Sequence, residues 1–165
     1  MILLVSGIPA AGKSSYCGWL EQEKKYIHFD IDRRQFQGTG VQPQWDAIFR
    51  PNGSVEPFVK SLSQWRRSAI IDWGFPPAWL QVVRDFKDVG VDIWWFDADI
   101  SAARQKFIER AEHSVENFDR QIARIQQAWP MIAAVFGSHL MRTLCANGIY
   151  LSGAEIFRRM FGRPF

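Results

Sequence analysis

Disulfide scaffolds, membrane spans and secretion signals find little support in this sequence. Only two cysteines occur, Cys17 and Cys145, which is too few for a disulfide framework. No apolar run approaches the ~20 residues of a membrane helix, and the chain opens on an apolar segment without the charged stretch of a signal peptide. These absences predict a cytoplasmic protein with reduced cysteines and no membrane segment.

A strong charge imbalance, internal repeats and low-complexity segments are also missing. The formal net charge of +3 suits a phosphate-bearing partner but is too small to indicate nucleic acid by itself. A length of 165 residues predicts one domain that is large enough to bury a core. The sequence leaves open whether the protein is a monomer or a homodimer.

Aromatic residues, in contrast, are abundant. The chain has eight tryptophans, and many of its aromatic residues fall between positions 45 and 79. Large aromatic side chains commonly build cores, so core packing is the first interpretation. The second interpretation is an aromatic pocket for an acceptor substrate, with Trp45 and Trp73 among its walls.

The most specific motif of the chain covers residues 7–14, which we call the glycine loop. An apolar strand pattern over 2–5 precedes the loop and a helical pattern over 14–23 follows it, which is the context that a phosphate-binding loop requires. The loop matches G-x-x-x-x-G-K-[ST] without a departure, with Gly7, Ile8, Pro9, Ala10, Ala11, Gly12, Lys13 and Ser14.

Each residue type in the glycine loop has a physical reason. Gly7 and Gly12 permit backbone conformations that a Cβ would block, and the amides at the helix start can then point at a phosphate. Lys13 supplies positive charge for the β- and γ-phosphates, and Ser14 offers a hydroxyl to Mg²⁺. Together with Ser15 the loop predicts an ATP site, and an ordinary strand-to-helix turn is the alternative.

Strand patterns alternate with helical patterns along the chain, which is typical of an α/β fold with a parallel sheet. The stretch 33–67 contains no strand pattern and reads as a helical insert over the edge of the sheet. A long helical region covers 101–136, with a break expected at 112–114 and a kink at Pro130. The predicted strands cover residues 2–5, 26–30, 68–72, 91–96 and 139–144.

Acidic residues follow several of the predicted strands, at the edge of the sheet where ligands bind. Asp72 ends the third strand in a Walker-B-like position, where a carboxylate holds Mg²⁺. Asp30 ends the second strand, where a general base could take a proton from an acceptor hydroxyl. A turn or capping role is the alternative for both, and it is the preferred role for Asp97 and Asp99.

Arginines recur in the predicted helical region after the fourth strand. Phosphoryl transfer needs positive charge on the migrating group, and arginines on a closing lid often supply it. We predict such a lid over about 101–120, and a solvated helix with Glu–Arg pairs is the alternative. The arginines are Arg104, Arg110, Arg120 and Arg124.

Taken together, these motifs resemble the small P-loop kinases. The resemblance rests on the glycine loop, the Asp-x-x-Arg pattern from Asp30 to Arg33, the Ile-Ile-Asp strand that ends at Asp72, and the arginine-bearing lid. The organisation is most similar to the polynucleotide-kinase-like and zeta-toxin-like members, with gluconate, shikimate and chloramphenicol kinases as neighbours. The resemblance implies a three-layer fold with a five-stranded parallel sheet in the order 2-3-1-4-5. It also implies ATP, Mg²⁺, and transfer of the γ-phosphoryl to a hydroxyl.

The resemblance also implies roles for residues at matching positions. Lys13 and Ser14 would bind phosphate and magnesium, Asp30 would be the catalytic base, and Arg33 would contact the substrate or a phosphate. The nearby Asp32 leaves the identity of the catalytic base open, because Asp32, Arg33 and Arg34 could be the functional triplet instead.

For the lid, the resemblance implies that Arg104 helps to bind the nucleotide and that Arg110 is catalytic. Residues 143–148 would lie beside the adenine. The lid has no Arg-Gly-His signature of the sugar-acid kinases, so the resemblance defines the phosphoryl donor better than the acceptor.

These motifs are consistent with three functions. The first is an ATP-dependent kinase for a small hydroxyl-bearing molecule. The second is a kinase for the 5′-hydroxyl of a nucleotide or nucleic acid, which could be bound by arginines and stacking tryptophans. The third is a nucleotide-binding regulatory module without an acceptor. The residues suggested for the second function are Arg33, Arg34, Arg66, Arg67, Trp45 and Trp65.

Overall fold

A parallel five-stranded sheet forms the centre of the computed structural model, which describes residues 1–36, 38–75, 77–110 and 114–162. The strand order is β2-β3-β1-β4-β5, and this confirms the predicted fold class and strand order. All pairings are parallel, so the five carboxyl ends lie at one edge of the sheet. The strands are β1 (Ile2–Gly7), β2 (Ile27–Asp30), β3 (Ala69–Asp72), β4 (Asp92–Ala98) and β5 (Leu140–Leu144).

Helices connect the strands and cover the sheet. Helix α1 packs against α7, and α4 packs against α6. None of the described helices has the length and apolar content that crossing a membrane requires. The described helices are α1 (Lys13–Lys24), α2 (Gln42–Ile48), α3 (Glu56–Ser63), α4 (Leu80–Asp88), α5 (Ile100–Glu109), α6 (Val115–Phe136) and α7 (Gly153–Phe161).

The helical predictions agree with these elements in outline. Helices α2 and α3 occupy the segment 33–67 that was expected to be a helical insert. The region predicted over 101–136 is formed by α5 and α6, and α6 continues past Pro130. Residues 112 and 113 of the predicted break lie outside the described residues, as does residue 76 at the predicted start of α4.

The two central strands are buried on both faces. Leu3, Leu4 and Val5 of β1 are fully buried, and all four residues of β3 are buried. A strand that is covered on both sides reads as a continuous apolar run, which is why these segments could be recognised in the sequence. In the register of the sheet, Asp72 at the end of β3 pairs with Asp30 at the end of β2.

An aromatic cluster joins the insert to the rest of the core. The ring centroid of Trp45 lies 5.2 Å from that of Trp73, 5.3 Å from that of Phe58, 5.5 Å from that of Phe49 and 6.0 Å from that of Phe86. Trp45 is 3% exposed and Trp73 is 5% exposed. For these two tryptophans the structure therefore supports core packing, the first of the two interpretations.

This placement has a measurable consequence for stability. We expect Trp45→Ala to lower the free energy of unfolding by about 3–5 kcal/mol, because it opens a large cavity in the core. Trp79→Ala is the control, since Trp79 is 40% exposed and its loss should cost much less. Urea denaturation measures both. Unchanged stability of the Trp45→Ala protein would contradict core packing and favour the alternative interpretation, in which Trp45 binds substrate.

Candidate active site

The glycine loop runs from the end of β1 to the start of α1. A Cβ at Gly7, whose φ is 150°, would collide with the carbonyl oxygen of Phe96 in β4. Gly12 has a φ of 86° and is the N-cap of α1, and the ring of Tyr150 lies against it. Larger side chains are therefore excluded at both glycines by backbone conformation and by close packing.

The amides at the start of α1 are available to an anion. The hydrogen bond from Tyr16 N to Gly12 O, at 3.0 Å, closes the first turn, so the amides of Lys13 and Ser14 have no partner within the helix. The N-cap glycine has no side chain to accept a bond from them, and the first turn contains no acid. A helix start of this kind favours negative charge.

The Lys13 side chain folds back over the glycine loop. Its Nζ donates to Ile8 O at 2.9 Å and to Gly7 O at 3.3 Å. Burial lowers the pKa of the Lys13 ammonium, and the carboxylates of Asp72 and Asp32 oppose that shift. A phosphate would offer this ammonium a charged acceptor, which forms stronger hydrogen bonds than neutral carbonyls do.

Two side chains from the C-terminal part of the chain hold the glycine loop. Thr143 Oγ1 donates to Ala11 O at 2.6 Å, and Tyr150 OH donates to Ala10 O at 2.8 Å. Ala10 has a φ of 60°, and this left-handed conformation costs a residue with a Cβ roughly 1–2 kcal/mol. We infer that the two bonds hold the loop in a shape that it would otherwise leave.

Tyr150→Phe tests this inference because it removes the hydroxyl and keeps the ring. If the loop binds ATP, we expect the KM for ATP to rise several-fold, since one hydrogen bond is worth about 0.5–1.5 kcal/mol. The KM for the acceptor should stay the same. Tyr26→Phe is the matched control, because Tyr26 precedes β2 and does not line the site. Equal KM values for ATP in all three proteins would contradict the inference.

A cavity of about 630 Å³ lies next to the glycine loop, at the carboxyl ends of β2 and β3. Arg110, which follows α5, reaches the same cavity. A cavity of this size suits a small-molecule ligand. The residues predicted for the site that line it are Gly7, Pro9, Ala10, Lys13, Ser14, Asp30, Arg33 and Arg110.

Asp30 and Asp32 both line the cavity, but their surroundings differ. Asp30 is 6% exposed, and its Oδ1 accepts a hydrogen bond from Arg33 N at 3.0 Å. Asp32 Oδ2 accepts a bond from Gly74 N at 3.2 Å. Asp32 is an exposed residue, and the partial desolvation of its carboxyl beside the cavity wall raises the pKa of that carboxyl above its ordinary value, against the opposing effect of the Gly74 bond and of Lys13. A raised pKa is a property that a general base needs.

The two residues predicted to bind Mg²⁺ differ in their exposure. Ser14 is exposed and lines the cavity. Asp72 is 2% exposed and is not part of the cavity wall, and its Oδ2 lies 3.6 Å from His28 Nε2 of β2. The oxygens at the cavity that suit a hard cation are the Ser14 hydroxyl and the carboxylates of Asp30 and Asp32.

Of the other predicted residues, Arg104, Trp45 and Trp73 do not line the cavity, whereas Arg110 does. Arg104 on α5 forms a bidentate ion pair with Asp119 on α6, with N–O distances of 3.0 and 3.2 Å. The pair lies on the surface, where it is solvated. Arg110 lines the cavity and has no ion pair with any residue that the structure describes. Trp45 and Trp73, which were predicted as acceptor walls, belong to the aromatic cluster and do not line the cavity.

The basic stacking surface suggested for nucleic acid is not assembled either. Arg34 is paired with Asp46 at 2.9 Å, and Arg67 Nη2 donates to a backbone carbonyl at 2.9 Å. The Trp65 ring stacks on Phe29 of β2 at 5.8 Å between centroids. Arg34, Arg67 and the Trp65 ring are thus engaged within the fold.

Sequence reasoning misses several residues of the cavity wall. Gly74 and Phe75 directly follow β3, so the rule that strand ends carry the site could have found them. Phe107, Asn117 and Gln121 come from α5 and α6, and no sequence pattern distinguishes them from other helical residues. They come to the wall through the packing of α5 and α6 in the folded protein.

A second cavity of about 240 Å³ lies on the other side of the glycine loop. The resemblance implies a nucleobase near residues 143–148, and one residue of this segment lines the second cavity. Two further residues of the predicted site, Ile8 and Ala11, are 2% and 0% exposed and belong to the body of the loop. The wall of the second cavity includes Ala11, Gly12, Ser15, Thr143, Tyr150 and Leu151.

Comparison with known proteins identifies the fold. No protein-family model and no curated protein sequence matches this chain. The tunicamycin resistance protein of Deinococcus radiodurans is 12% identical, with a TM-score of 0.56 over 98% of this chain and 93% of that chain. A shikimate kinase from Bacteroides thetaiotaomicron is 12% identical, with a TM-score of 0.51 over 86% and 85%. A gluconokinase from Sinorhizobium meliloti 1021 is 12% identical, with a TM-score of 0.50 over 98% and 89%. At this identity the likeness shows the fold alone, and the chain has the α/β fold of the P-loop kinases.

Proposed function

We propose that this protein is an ATP-dependent phosphotransferase that moves the γ-phosphoryl group of ATP to a hydroxyl group of a small-molecule acceptor. The proposal rests on the groups that line one cavity. The start of α1 and Lys13 share this cavity with the carboxylates of Asp30 and Asp32 and the guanidinium of Arg110. Two proteins that share the fold are named as a gluconokinase and a shikimate kinase, which supports the reaction class.

The donor side of the site is the glycine loop. The free amides of the first turn of α1 would bind phosphate oxygens, and Lys13 would leave its two carbonyl acceptors to contact the β- and γ-phosphates. Ser15 and Tyr150 would face the base side, in the second cavity. The amides are in place before the nucleotide binds, and Lys13 has only to exchange its carbonyl acceptors for phosphate oxygens, so little further reorganisation is needed.

Magnesium fits the oxygen atoms on the cavity wall. We assign it to the Ser14 hydroxyl and the Asp30 carboxylate, because both line the cavity and Asp72 does not. When bound, Mg²⁺ would neutralise charge on the phosphates and help to orient them.

The acceptor side of the site lies between Asp32, Gly74 and α6. We assign the general base to Asp32 rather than to Asp30, because its carboxylate combines a raised pKa with a place on the cavity wall. Asn117 and Gln121 offer amide groups to the acceptor, while Phe75 presents an apolar surface. Arg33 and Arg110 would contact the acceptor or the migrating group.

In the reaction, the acceptor oxygen forms a bond to the γ-phosphorus while the bond between that phosphorus and the β–γ bridging oxygen breaks. The hydroxyl proton passes to the Asp32 carboxylate, and ADP and the phosphorylated acceptor leave. Lys13 and Arg110 stabilise the charge on the transferring group, and catalysis consists mainly of positioning and electrostatic stabilisation.

An acceptor screen tests the proposal. ADP release from ATP and Mg²⁺ is measured over antibiotics, sugars and sugar acids, nucleosides, and 5′-hydroxyl oligonucleotides. We expect one class of small molecule to raise ADP release well above the acceptor-free rate, and Asp32→Asn to abolish that increase. Stimulation by oligonucleotides alone would favour the nucleic-acid kinase. Tight ATP binding with no stimulation by any acceptor would favour a regulatory module.

A further inference from the structure

Three side chains that the proposed reaction does not use converge beneath the glycine loop. They are Cys17 on α1, His28 on β2 and Asp72 at the end of β3, and one ligand atom from each lies within 4.8 Å of the other two. Cys17 is fully buried, Asp72 is 2% exposed, and none of the three lines the main cavity. Three elements that are far apart in sequence therefore bring a sulfur, a nitrogen and an oxygen atom close to one another.

Two of these atoms lack a hydrogen-bond partner. His28 Nε2 and Asp72 Oδ2 are buried, and neither has a partner among the described residues. Their separation of 3.6 Å is too long for an N–H···O hydrogen bond. Two such atoms bound to one tetrahedral zinc ion, each at ~2.0–2.1 Å, would be about 3.3 Å apart. The observed spacing is therefore closer to that of two ligands of one ion than to that of a hydrogen bond.

A carboxylate also lies on the opposite side of the imidazole. Glu21 Oε2, one helical turn after Cys17, is 3.8 Å from His28 Nδ1, which is longer than a hydrogen bond. Histidines that bind a metal commonly donate their second ring N–H to a carboxylate, and Glu21 is the carboxylate that could take this place when an ion binds. His28 has a carboxylate on one nitrogen, and Cys17 and Asp72 near the other.

We propose that Cys17, His28 and Asp72 form a zinc site that ties α1 to β2 and β3. A thiolate, an imidazole and a carboxylate are ligands that Zn²⁺ takes in proteins, and with three protein ligands the site keeps an open fourth tetrahedral position for water. One thiolate and one carboxylate balance the charge of the ion.

Ion binding would require a change at the thiol. Burial raises the pKa of the Cys17 thiol well above its ordinary value, so the sulfur is protonated without an ion. A coordinating cation deprotonates a thiol outright, and the proton is released to solvent on binding. The Lys13 ammonium opposes the cation, but its Nζ is held on the loop carbonyls of Gly7 and Ile8.

The first test is the metal content of tag-free protein. After equilibration with Zn²⁺ and gel filtration, we expect elemental mass spectrometry to find one zinc ion per chain. The melting temperature of this protein should be higher than that of protein treated with EDTA. Cys17→Ser and His28→Gln should lose the zinc. The matched control is Cys145→Ser, which changes the other free cysteine and should keep the zinc.

The second test uses Co²⁺ on the unmutated protein, so it does not depend on the variants folding. We expect a thiolate-to-cobalt charge-transfer absorption that Zn²⁺ displaces. Unmutated protein that holds no stoichiometric zinc, or zinc that persists in Cys17→Ser, would overturn the proposal, as would a cobalt complex without thiolate absorption. None of these readouts depends on phosphotransfer, so the site and the proposed function can fail separately.

Discussion

Replacing Lys13 with alanine is expected to lower kcat by roughly 10²–10³, the effect of removing one group that stabilises charge in a transition state. The KM for ATP should rise as well, because the ammonium also contacts phosphate before the reaction. The reason is specific to this geometry: Lys13 stands at the helix start, lines the cavity, and bonds only to two neutral carbonyls that a phosphate can replace. Steady-state rates of ADP release with the best acceptor measure both constants.

The control for this variant is Lys60→Ala. Lys60 is exposed on α3, away from the cavity, and its loss removes one positive charge without touching the site. We expect unchanged kcat and KM. If the two variants behaved alike, the glycine loop would be an ordinary strand-to-helix turn and the donor site would lie elsewhere.

The second large effect is expected at Asp32. Asp32→Asn should lower kcat by about 10²–10⁴, the usual contribution of a positioned general base, while ATP binding changes little. Asp30→Asn leaves the proposed base, Asp32, in place. It should instead raise the Mg²⁺ concentration needed for activity, because Asp30 is a proposed Mg²⁺ ligand. The two variants are isosteric with the native residues, so differences in folding should be small. The opposite pattern, with transfer lost only in Asp30→Asn, would return the base to Asp30, as the sequence predicts.

The pH dependence gives an independent check on the same residue. Asp32 acts as a base only when it is deprotonated, and partial desolvation raises its pKa above the ordinary aspartate value. The rate should therefore fall on the acid side at a pH above the ordinary aspartate pKa. A profile of kcat/KM against pH measures this limb, and the residual activity of Asp32→Asn should lack it. A limb that survives in Asp32→Asn would belong to another group.

The fold could be predicted from the sequence because its signals are local. Strands β1 and β3 are buried on both faces and therefore read as apolar runs in the sequence. The glycine loop motif predicts the turn between β1 and α1. The alternation of strand and helix patterns then restricts the sheet to a parallel one. The strand order came from the family resemblance, and the sheet has that order.

The candidate site could be predicted only in part, because the direction of a side chain depends on tertiary packing. Asp30 and Asp72 both end strands and are register partners, yet only Asp30 reaches the cavity. Composition alone also could not separate Trp45 in the core from a tryptophan on a pocket wall. Asn117 and Gln121 reach the site through the packing of α6, which has no local signature.

The most direct measurement of the central claim follows the γ-phosphoryl group itself. Protein, Mg²⁺ and ATP labelled at the γ-phosphorus are incubated with the acceptor that most raises ADP release, and the products are separated. The account predicts that the label appears on the organic acceptor in a one-to-one ratio with ADP, and that Lys13→Ala and Asp32→Asn each lower the rate of this transfer by at least about 10². Label found only in inorganic phosphate, at a rate that no acceptor changes, would contradict it.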